Sequence, residues 1–141
     1  MSGIEVPKSL SEWNDAGAGY LPGLLGIEFT LVAHDEVRAR LSVRKALLAL
    51  NGFLHGGTVI TLADTACGYG TMNSLPVGAV GFTTLELKSN FLGTARDGFV
   101  ECVATAVHKG RTTQVWDANV VIAGADKSIA RFRCTQLILR S

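Results

Sequence analysis

Residues 56–72 read GGTVITLADTACGYGTM, and this stretch decides the fold because apolar residues lie on nearly every face of the helix it would form. A helix that is apolar nearly all round has to be buried nearly all round. Each of its four glycines lowers intrinsic helix stability by about 1 kcal/mol relative to alanine, so packing must supply the stability. The stretch predicts one long helix, over Gly56–Met72, in the centre of the molecule.

The segments on either side of this helix alternate between apolar and polar residues, which is typical of strands with one buried face. Residues 26–32 and 37–44 precede the helix and are joined by His34-Asp35-Glu36, which predicts a hairpin. Four more strands are predicted after it, over 83–92, 99–108, 112–122 and 129–139. Their connections are too short for crossover helices, so neighbours must be antiparallel. The sequence predicts an α+β fold, an antiparallel sheet of five to six strands wrapped around one central helix.

The N-terminal segment, residues 1–22, is expected to pack on this domain as a short helix and a loop. Ser9-Leu10-Ser11-Glu12 is a capping-box pattern and predicts a helix over 9–14. Three glycines and a proline between residues 17 and 23 predict that the helix is broken there. Residues 73–81 are predicted to form a turn-rich connection. With no linker or repeat, residues 1–141 are expected to form one domain.

The composition limits the classes of partner. The sequence has 13 basic and 12 acidic residues, a formal net charge of +1, which provides no basic surface for a nucleic-acid backbone. No run approaches the roughly 20 apolar residues that a membrane-spanning helix needs, and no N-terminal export signal is present. We expect neither nucleic acid nor a membrane as a partner. The apolar content of 48% is high for a monomer and is consistent with a subunit interface.

The cysteines and histidines predict no disulfide and no metal site. Three cysteines, an odd number, lie among apolar or strand-forming neighbours: Cys67, Cys102 and Cys134. They are expected to be buried, reduced thiols in a cytoplasmic protein. His34 and His108 lie at predicted strand ends without a second histidine or cysteine at metal-ligand spacing.

Asp64 is the anomaly of the central helix. A carboxylate among Leu62, Ala63 and Ala66 is costly to desolvate unless it is paired, hydrogen-bonded or protonated. Burial raises the pKa of such a carboxyl group and makes it a useful base near neutral pH. The alternative is structural, in which Asp64 only bonds Thr61 or Thr65 or meets a cation across an interface.

His55-Gly56-Gly57 stands where the helix is predicted to begin. Free backbone amides at a helix N-terminus, with no side chain at two glycines, can approach a carbonyl oxygen and stabilise developing negative charge. Asp64 lies seven residues after Gly57, about two turns or 10 Å along the helix. A base that far from its own helix start more plausibly serves the helix start of a second subunit.

These residues carry a resemblance to a known family. Residues 51–58, with 62–66, resemble the signature of the PaaI-like (phenylacetate-degradation) hotdog-fold acyl-CoA thioesterases, and residues 84–92 are similar to that family's next strand. The resemblance implies a hotdog fold that hydrolyses acyl-CoA at a homodimer interface, with dimers commonly paired into homotetramers. It implies no cofactor, because the CoA belongs to the substrate. An aromatic and a medium-chain acyl group both remain open.

The resemblance also implies roles by position. Asp64 would act as base or nucleophile, the Gly56 amide would polarise the thioester carbonyl, His55 would shape the site and Thr84 would position the attacking water. The residues implied to contact the substrate or its CoA are Gly57, Asn90, Gly110 and Arg111.

Two positions depart from the family pattern. Ala49 stands where many relatives carry an Asn, six residues before the histidine, and Asn51 is either its substitute or a turn residue in Asn51-Gly52. Gly93-Thr94 replaces an Arg-Pro pair that relatives often carry. Two other functions therefore stay open, a non-catalytic acyl-CoA-binding protein and a hotdog dehydratase or hydratase. The His-Phe-Pro-Gly type of signature of the latter is absent.

Overall fold

The computed structural model describes residues 5–141, and its centre is the helix that the sequence predicts. This helix, α3, spans Gly56–Met72, the predicted bounds. Leu62, Ala63, Ala66 and Cys67 on it are fully buried. It packs against the strands of one sheet, so the expected α+β architecture and the hotdog fold are confirmed.

Six strands within the described residues form that sheet: β1 (Glu28–Val32), β2 (Glu36–Ser42), β3 (Ala79–Phe91), β4 (Phe99–Lys109), β5 (Thr113–Ile122) and β6 (Ser128–Arg140). Every neighbouring pair is antiparallel, in the order β1-β2-β4-β5-β6-β3. After β2 the chain passes through α3 to the far side of the sheet. β3 is therefore an edge strand, and among the described strands it pairs only with β6.

The inward face of the sheet lies very close to α3. Trp116, on β5, is fully buried against the helix. A Cβ built on Gly70 of α3 would stand 2.5 Å from the Trp116 ring, which is closer than any side chain tolerates. Gly70 has no Cβ and therefore allows α3 to lie this close to the sheet.

The N-terminal segment packs on the domain through a helix, α1, that spans Leu10–Ala16. Ser9 caps it by accepting from the Glu12 N–H at 3.2 Å, whereas the Glu12 carboxylate accepts from the Lys8 N–H instead of the Ser9 N–H. Only half of the predicted capping box forms. Asn14 ties α1 to β1 by exchanging two hydrogen bonds with the Phe29 backbone.

Some predicted boundaries were wrong. α1 ends at Ala16, before the glycines that were predicted to break it, but a second helix, α2, which was not predicted, spans Leu21–Leu25. Proline fits the first turn of a helix, where its missing N–H has no intrahelical partner, and Gly26 ends α2 with a φ of 74°. β3 begins at Ala79, inside the predicted connection 73–81, because its first residues pair with the end of β6.

A short 3-10 helix over Lys45–Leu47, between β2 and α3, was not predicted. Residues 1–4 of the predicted N-terminal segment lie outside the described residues. Among residues 5–141, the helices are all too short or too polar to reach across a lipid bilayer.

Candidate active site

The first turn of α3 presents one free backbone N–H group. His55 is the N-cap, and its Nδ1 accepts from the Gly57 N–H at 2.8 Å, so the ring carries its proton on Nε2. The Thr58 and Val59 N–H groups both donate to the His55 carbonyl. Within residues 5–141 the Gly56 N–H donates to no acceptor. Gly56 is thus the amide left to meet an oxygen from outside the chain.

Two neighbouring segments hold this helix start in place. The His55 N–H and the Thr58 hydroxyl both donate to the Leu47 carbonyl, at 3.1 and 2.9 Å. The Leu54 N–H donates to the Ala95 carbonyl at 2.9 Å. A donor that is fixed before the substrate arrives needs no reorganisation during the reaction, which is the condition for strong stabilisation of an oxyanion.

One stripe of α3 faces the edge strand. Gly56, Ile60, Asp64 and Gly68 follow one another at intervals of four residues and so share a side of the helix. A Cβ on Gly56 would stand 3.2 Å from the Phe91 ring, and one on Gly68 would stand 3.3 Å from the Phe82 ring. Both phenylalanines belong to β3. The stripe that includes Asp64 therefore faces β3, the open edge of the sheet.

The Asp64 carboxylate is half-buried and lacks an internal partner. Its Oδ1 is shielded from solvent and accepts no hydrogen bond from any of residues 5–141. The Thr61 hydroxyl donates to the Gly57 carbonyl at 2.8 Å and so does not bond Asp64. Burial raises the pKa of Asp64 above its ordinary value. A half-buried carboxylate with a raised pKa and no hydrogen-bond partner within residues 5–141 can chemically act as a general base.

Thr84 lies on the inward face of β3. It is paired with Gln136 of β6, and its hydroxyl donates to Gln136 Oε1 at 2.6 Å. Gln136 is fully buried. The sequence reasoning missed this glutamine, although its alternation with buried Cys134 and Ile138 along β6 is a signal that would have found it.

Asp64 and the Gly56 N–H lie far apart along α3. Asp64 lies eight residues after Gly56, about 12 Å along the helix axis. A reacting carbonyl has to contact the oxyanion donor and the attacking group within about 3 Å of each. The Asp64 carboxylate and the Gly56 N–H of one chain therefore lie too far apart to act on the same carbonyl.

The remaining predicted residues lie apart from this stripe. Asn51 is exposed in a turn, where its Oδ1 accepts from the Phe53 N–H at 3.1 Å and Gly52 has a φ of 84°. Gly110 closes the turn between β4 and β5, because its N–H donates to the Thr113 carbonyl at 2.8 Å, and Arg111 beside it is exposed.

Asn90 lies on the outer face of β3, which points away from α3. It lines an open cleft of about 610 Å³ together with Lys88, Arg131 and Arg133. The structure therefore separates Asn90 from Asp64 by the thickness of the sheet.

The sequence matches a known family over the part that carries the site. Residues 51–128, more than half of the chain, match the thioesterase superfamily. The chain belongs to the thioesterase superfamily. The match includes the start of α3, Asp64 and Thr84, so the residues of the stripe lie inside the family domain. The more specific PaaI-like assignment remains a prediction.

Relatives in this superfamily cover most of the chain. The chain is 32% identical over 111 residues to a 1,4-dihydroxy-2-naphthoyl-CoA hydrolase of Listeria monocytogenes, and the match covers 79% of this chain and 89% of that protein. It is 30% identical over 115 residues to the enzyme of the same name in Escherichia coli, a match that covers 79% of this chain and 82% of that one.

Solved thioesterase structures share the whole fold. The crystal structure of a mutant thioesterase from Pseudomonas aeruginosa superimposes with a TM-score of 0.88 at 28% identity and covers 99% of both chains. A thioesterase structure from Haemophilus influenzae also gives a TM-score of 0.88, at 26% identity, and covers 99% of this chain and 96% of that one.

Proposed function

We propose that this protein hydrolyses the thioester of an acyl-CoA, with Asp64 as the catalytic carboxylate and the Gly56 N–H as the oxyanion donor. The observation that carries the proposal is that two groups on one stripe of α3 lack hydrogen-bond partners. The Asp64 carboxylate has a raised pKa and no hydrogen-bond partner within residues 5–141, and the Gly56 amide has no acceptor among the same residues. Base and oxyanion donor are the two groups that hydrolysis of a thioester requires.

The reaction follows from these two groups. As a base, Asp64 takes a proton from a water molecule while the water oxygen attacks the thioester carbonyl carbon. The Gly56 N–H donates a hydrogen bond to the oxyanion that forms. The carbon–sulfur bond then breaks, and Asp64 returns its proton to the departing CoA sulfur, which gives a carboxylic acid, free CoA and the Asp64 carboxylate again. Direct attack by the Asp64 carboxylate, followed by hydrolysis of the resulting anhydride, leads to the same products. No cofactor is needed on either route.

We infer that the two groups meet in a homodimer. β3 carries a free edge and three exposed apolar residues, Leu85, Leu87 and Phe91, which are 56%, 40% and 51% exposed. Pairing of two such edges about a twofold axis would give a continuous sheet of twelve strands. It would also set the two α3 helices side by side, with Asp64 of each near Gly56 of the other. Pairing of dimers into tetramers is the further step that the resemblance implies.

The acyl group is part of the proposal. Two relatives carry names that specify an aromatic acyl group, 1,4-dihydroxy-2-naphthoyl. We propose an aromatic or a medium-chain acyl-CoA, acted on in the cytoplasm, where three free and buried cysteines stay reduced. A panel of aromatic, phenylacetyl and medium-chain acyl-CoAs, assayed by release of free thiol, tests this choice.

The sharpest test of the oxyanion donor is Gly56→Pro. Gly56 is the first residue of α3, a position that tolerates proline, and His55 before it already has the extended backbone that a residue preceding proline prefers. The variant removes the N–H and should lower kcat by about 10²–10³. Gly56→Ala is the matched control, because it adds a Cβ beside Phe91 but keeps the N–H. Equal kcat values for the two variants would show that the Gly56 amide is not the donor.

Asp64→Asn tests the base. The amide cannot take a proton, and kcat should fall by about 10²–10⁴ while the fold is kept. Turnover at the wild-type rate would refute the role of Asp64.

A non-catalytic acyl-CoA-binding protein is the second candidate, favoured by Ala49. This position lacks the polar side chain that many relatives carry, and Asn51 is engaged in a turn. Binding of acyl-CoA by calorimetry without thiol release from any member of the panel would establish this reading. Hydration of an enoyl-CoA in place of hydrolysis would establish a hydratase.

A further inference from the structure

A row of three polar side chains crosses the buried face of the sheet. Thr84 of β3 pairs with Gln136 of β6, and Gln136 pairs with Gln114 of β5. Both glutamines are almost completely buried. Burial of an amide is costly unless its donors and acceptors are satisfied, so each glutamine needs a reason to be there.

Gln114 has a structural reason. Its Nε2 donates to the Ser74 carbonyl at 3.1 Å, and its Oε1 accepts from Trp116 Nε1 at 2.8 Å. The side chain thereby ties β5 to the end of α3 and satisfies the indole of the largest core residue. Both ends of its amide are used.

Gln136 has no comparable structural role. Its Oε1 accepts from the Thr84 hydroxyl, while its buried Nε2 has no partner within residues 5–141. The amide oxygen of Gln136 carries no proton and can only accept, so the Thr84 hydroxyl is the donor of this 2.6 Å bond. The one bond that Gln136 makes therefore fixes the direction of the Thr84 proton.

Thr84 lies on the part of β3 that runs past Asp64. The Phe82 ring meets α3 at Gly68, and the Phe91 ring meets it at Gly56. β3 and α3 thus run in opposite directions along each other, and Asp64 lies between the two contacts on α3. Thr84 is two residues from Phe82 on the same inward face, displaced from the Gly68 contact toward Asp64.

We propose that Gln136 is a positioning residue for thioester hydrolysis, acting through Thr84. Because the Thr84 proton is committed to Gln136, Thr84 Oγ can only accept a hydrogen bond. A water at the site then donates one hydrogen bond to Thr84 Oγ and the other to the Asp64 carboxylate, which turns a lone pair of the water oxygen toward the thioester carbonyl. This inference rests on the proposed function, since it concerns the water that Asp64 activates.

A double-mutant cycle on kcat tests the proposal. Gln136→Met removes the acceptor at nearly constant volume, and Thr84→Val removes the hydroxyl at constant shape. Gln136→Met should lower kcat about tenfold in the wild-type background, the loss of one oriented hydrogen bond, and leave KM within about twofold. In the Thr84→Val background the same change should alter kcat less than about twofold. An equal loss of kcat in both backgrounds overturns the proposal.

Gln114→Met is the matched control, because it changes the same residue type in the same row at the same burial without touching Thr84. It should lower the Tm but leave kcat near the wild-type value. If it lowers kcat as much as Gln136→Met does, the effect belongs to the packing of the row, and the proposal is wrong.

Two further measurements keep the test decisive. Gln136→Asn shortens the side chain by one methylene and so moves the acceptor away from Thr84 while it keeps a polar amide, and it must show the same dependence on Thr84 if Gln136→Met does not fold. Asp64→Asn is assayed in parallel. Full activity of Asp64→Asn overturns the proposed function itself, whereas loss of its activity together with an additive cycle overturns only the positioning role of Gln136.

Discussion

Gly70→Ala tests how closely α3 lies on the sheet. The new Cβ would stand 2.5, 2.6 and 3.0 Å from three carbons of the Trp116 ring, whereas carbon atoms pack favourably at about 3.5–4.0 Å. The ring must therefore move by about 1 Å in a region where it is fully buried. Such a movement also lengthens the 2.8 Å bond from Trp116 Nε1 to Gln114.

The magnitude follows from three contributions to the free energy of unfolding. Overpacking costs about 1–3 kcal/mol, and weakening of a buried hydrogen bond costs about 1 kcal/mol. Replacement of a helical glycine by alanine returns about 1 kcal/mol. The net destabilisation is about 1–3 kcal/mol, which corresponds to a decrease in Tm of about 3–10 °C for a domain of this size.

The assay is thermal unfolding followed by circular dichroism at one fixed protein concentration. Gly68→Ala is the control, two residues away on the same helix. Its Cβ would stand 3.3 Å from the tip of the Phe82 ring, which is only half-buried and can shift, so its Tm should stay close to that of the wild type. The reasoning is refuted if Gly70→Ala is as stable as Gly68→Ala.

Three other predictions concern the carboxylate, the N-terminal segment and the assembly. Because burial raises the folded-state pKa of Asp64 above its ordinary value of 3.8, the folded chain loses stability as the pH rises through that raised pKa. Asp64→Asn should therefore have a higher urea midpoint of unfolding than the wild type at pH 7, and the difference between the two midpoints should shrink as the pH falls toward 4. A difference that grows toward acid pH contradicts the argument from burial. Asn14→Ala deletes both hydrogen bonds to the Phe29 backbone and should lower the free energy of unfolding by about 1–3 kcal/mol in urea titrations. An unchanged urea midpoint would show that these bonds do not hold α1 in place. Mixed dimers refolded from Asp64→Ala and Gly56→Pro chains should recover activity that neither variant has alone, because one site of each mixed dimer keeps both the Asp64 carboxylate and the Gly56 N–H. If mass spectrometry shows that mixed dimers are present but no activity returns, the result counts against sites shared between subunits.

The central helix was predictable because its signal is local. Uninterrupted apolar faces and the His55-Gly56-Gly57 start specify both ends of α3, and the structure has the same bounds. Asp64 was recognisable for the same reason, as a charge where the pattern demands an apolar residue. α2 was not predictable in this way, since five residues that include a proline and a glycine carry too little periodicity.

The partner of Thr84 depends on information that no short window contains. Thr84 and Gln136 are 52 positions apart, and they meet only because β3 pairs with β6 in one register. A shift of one residue would turn Gln136 to the outer face. The early start of β3 was missed for a related reason, because only pairing with the end of β6 makes Ala79 and Gly81 part of a strand.

The position of β3 also sets an order for folding during synthesis. This strand leaves the ribosome before β4, β5 and β6, yet the one described strand that pairs with it is β6, the last of them. Until β6 has been made, β3 has two open edges and its apolar residues exposed, which is the state most prone to pairing with other nascent chains. A chain that ended before Ser128 would form the hairpins on one side of the sheet but would leave β3 without a strand to pair with. Completion of the fold therefore waits for the final strand, and long-range closure of this kind is slow compared with hairpin formation.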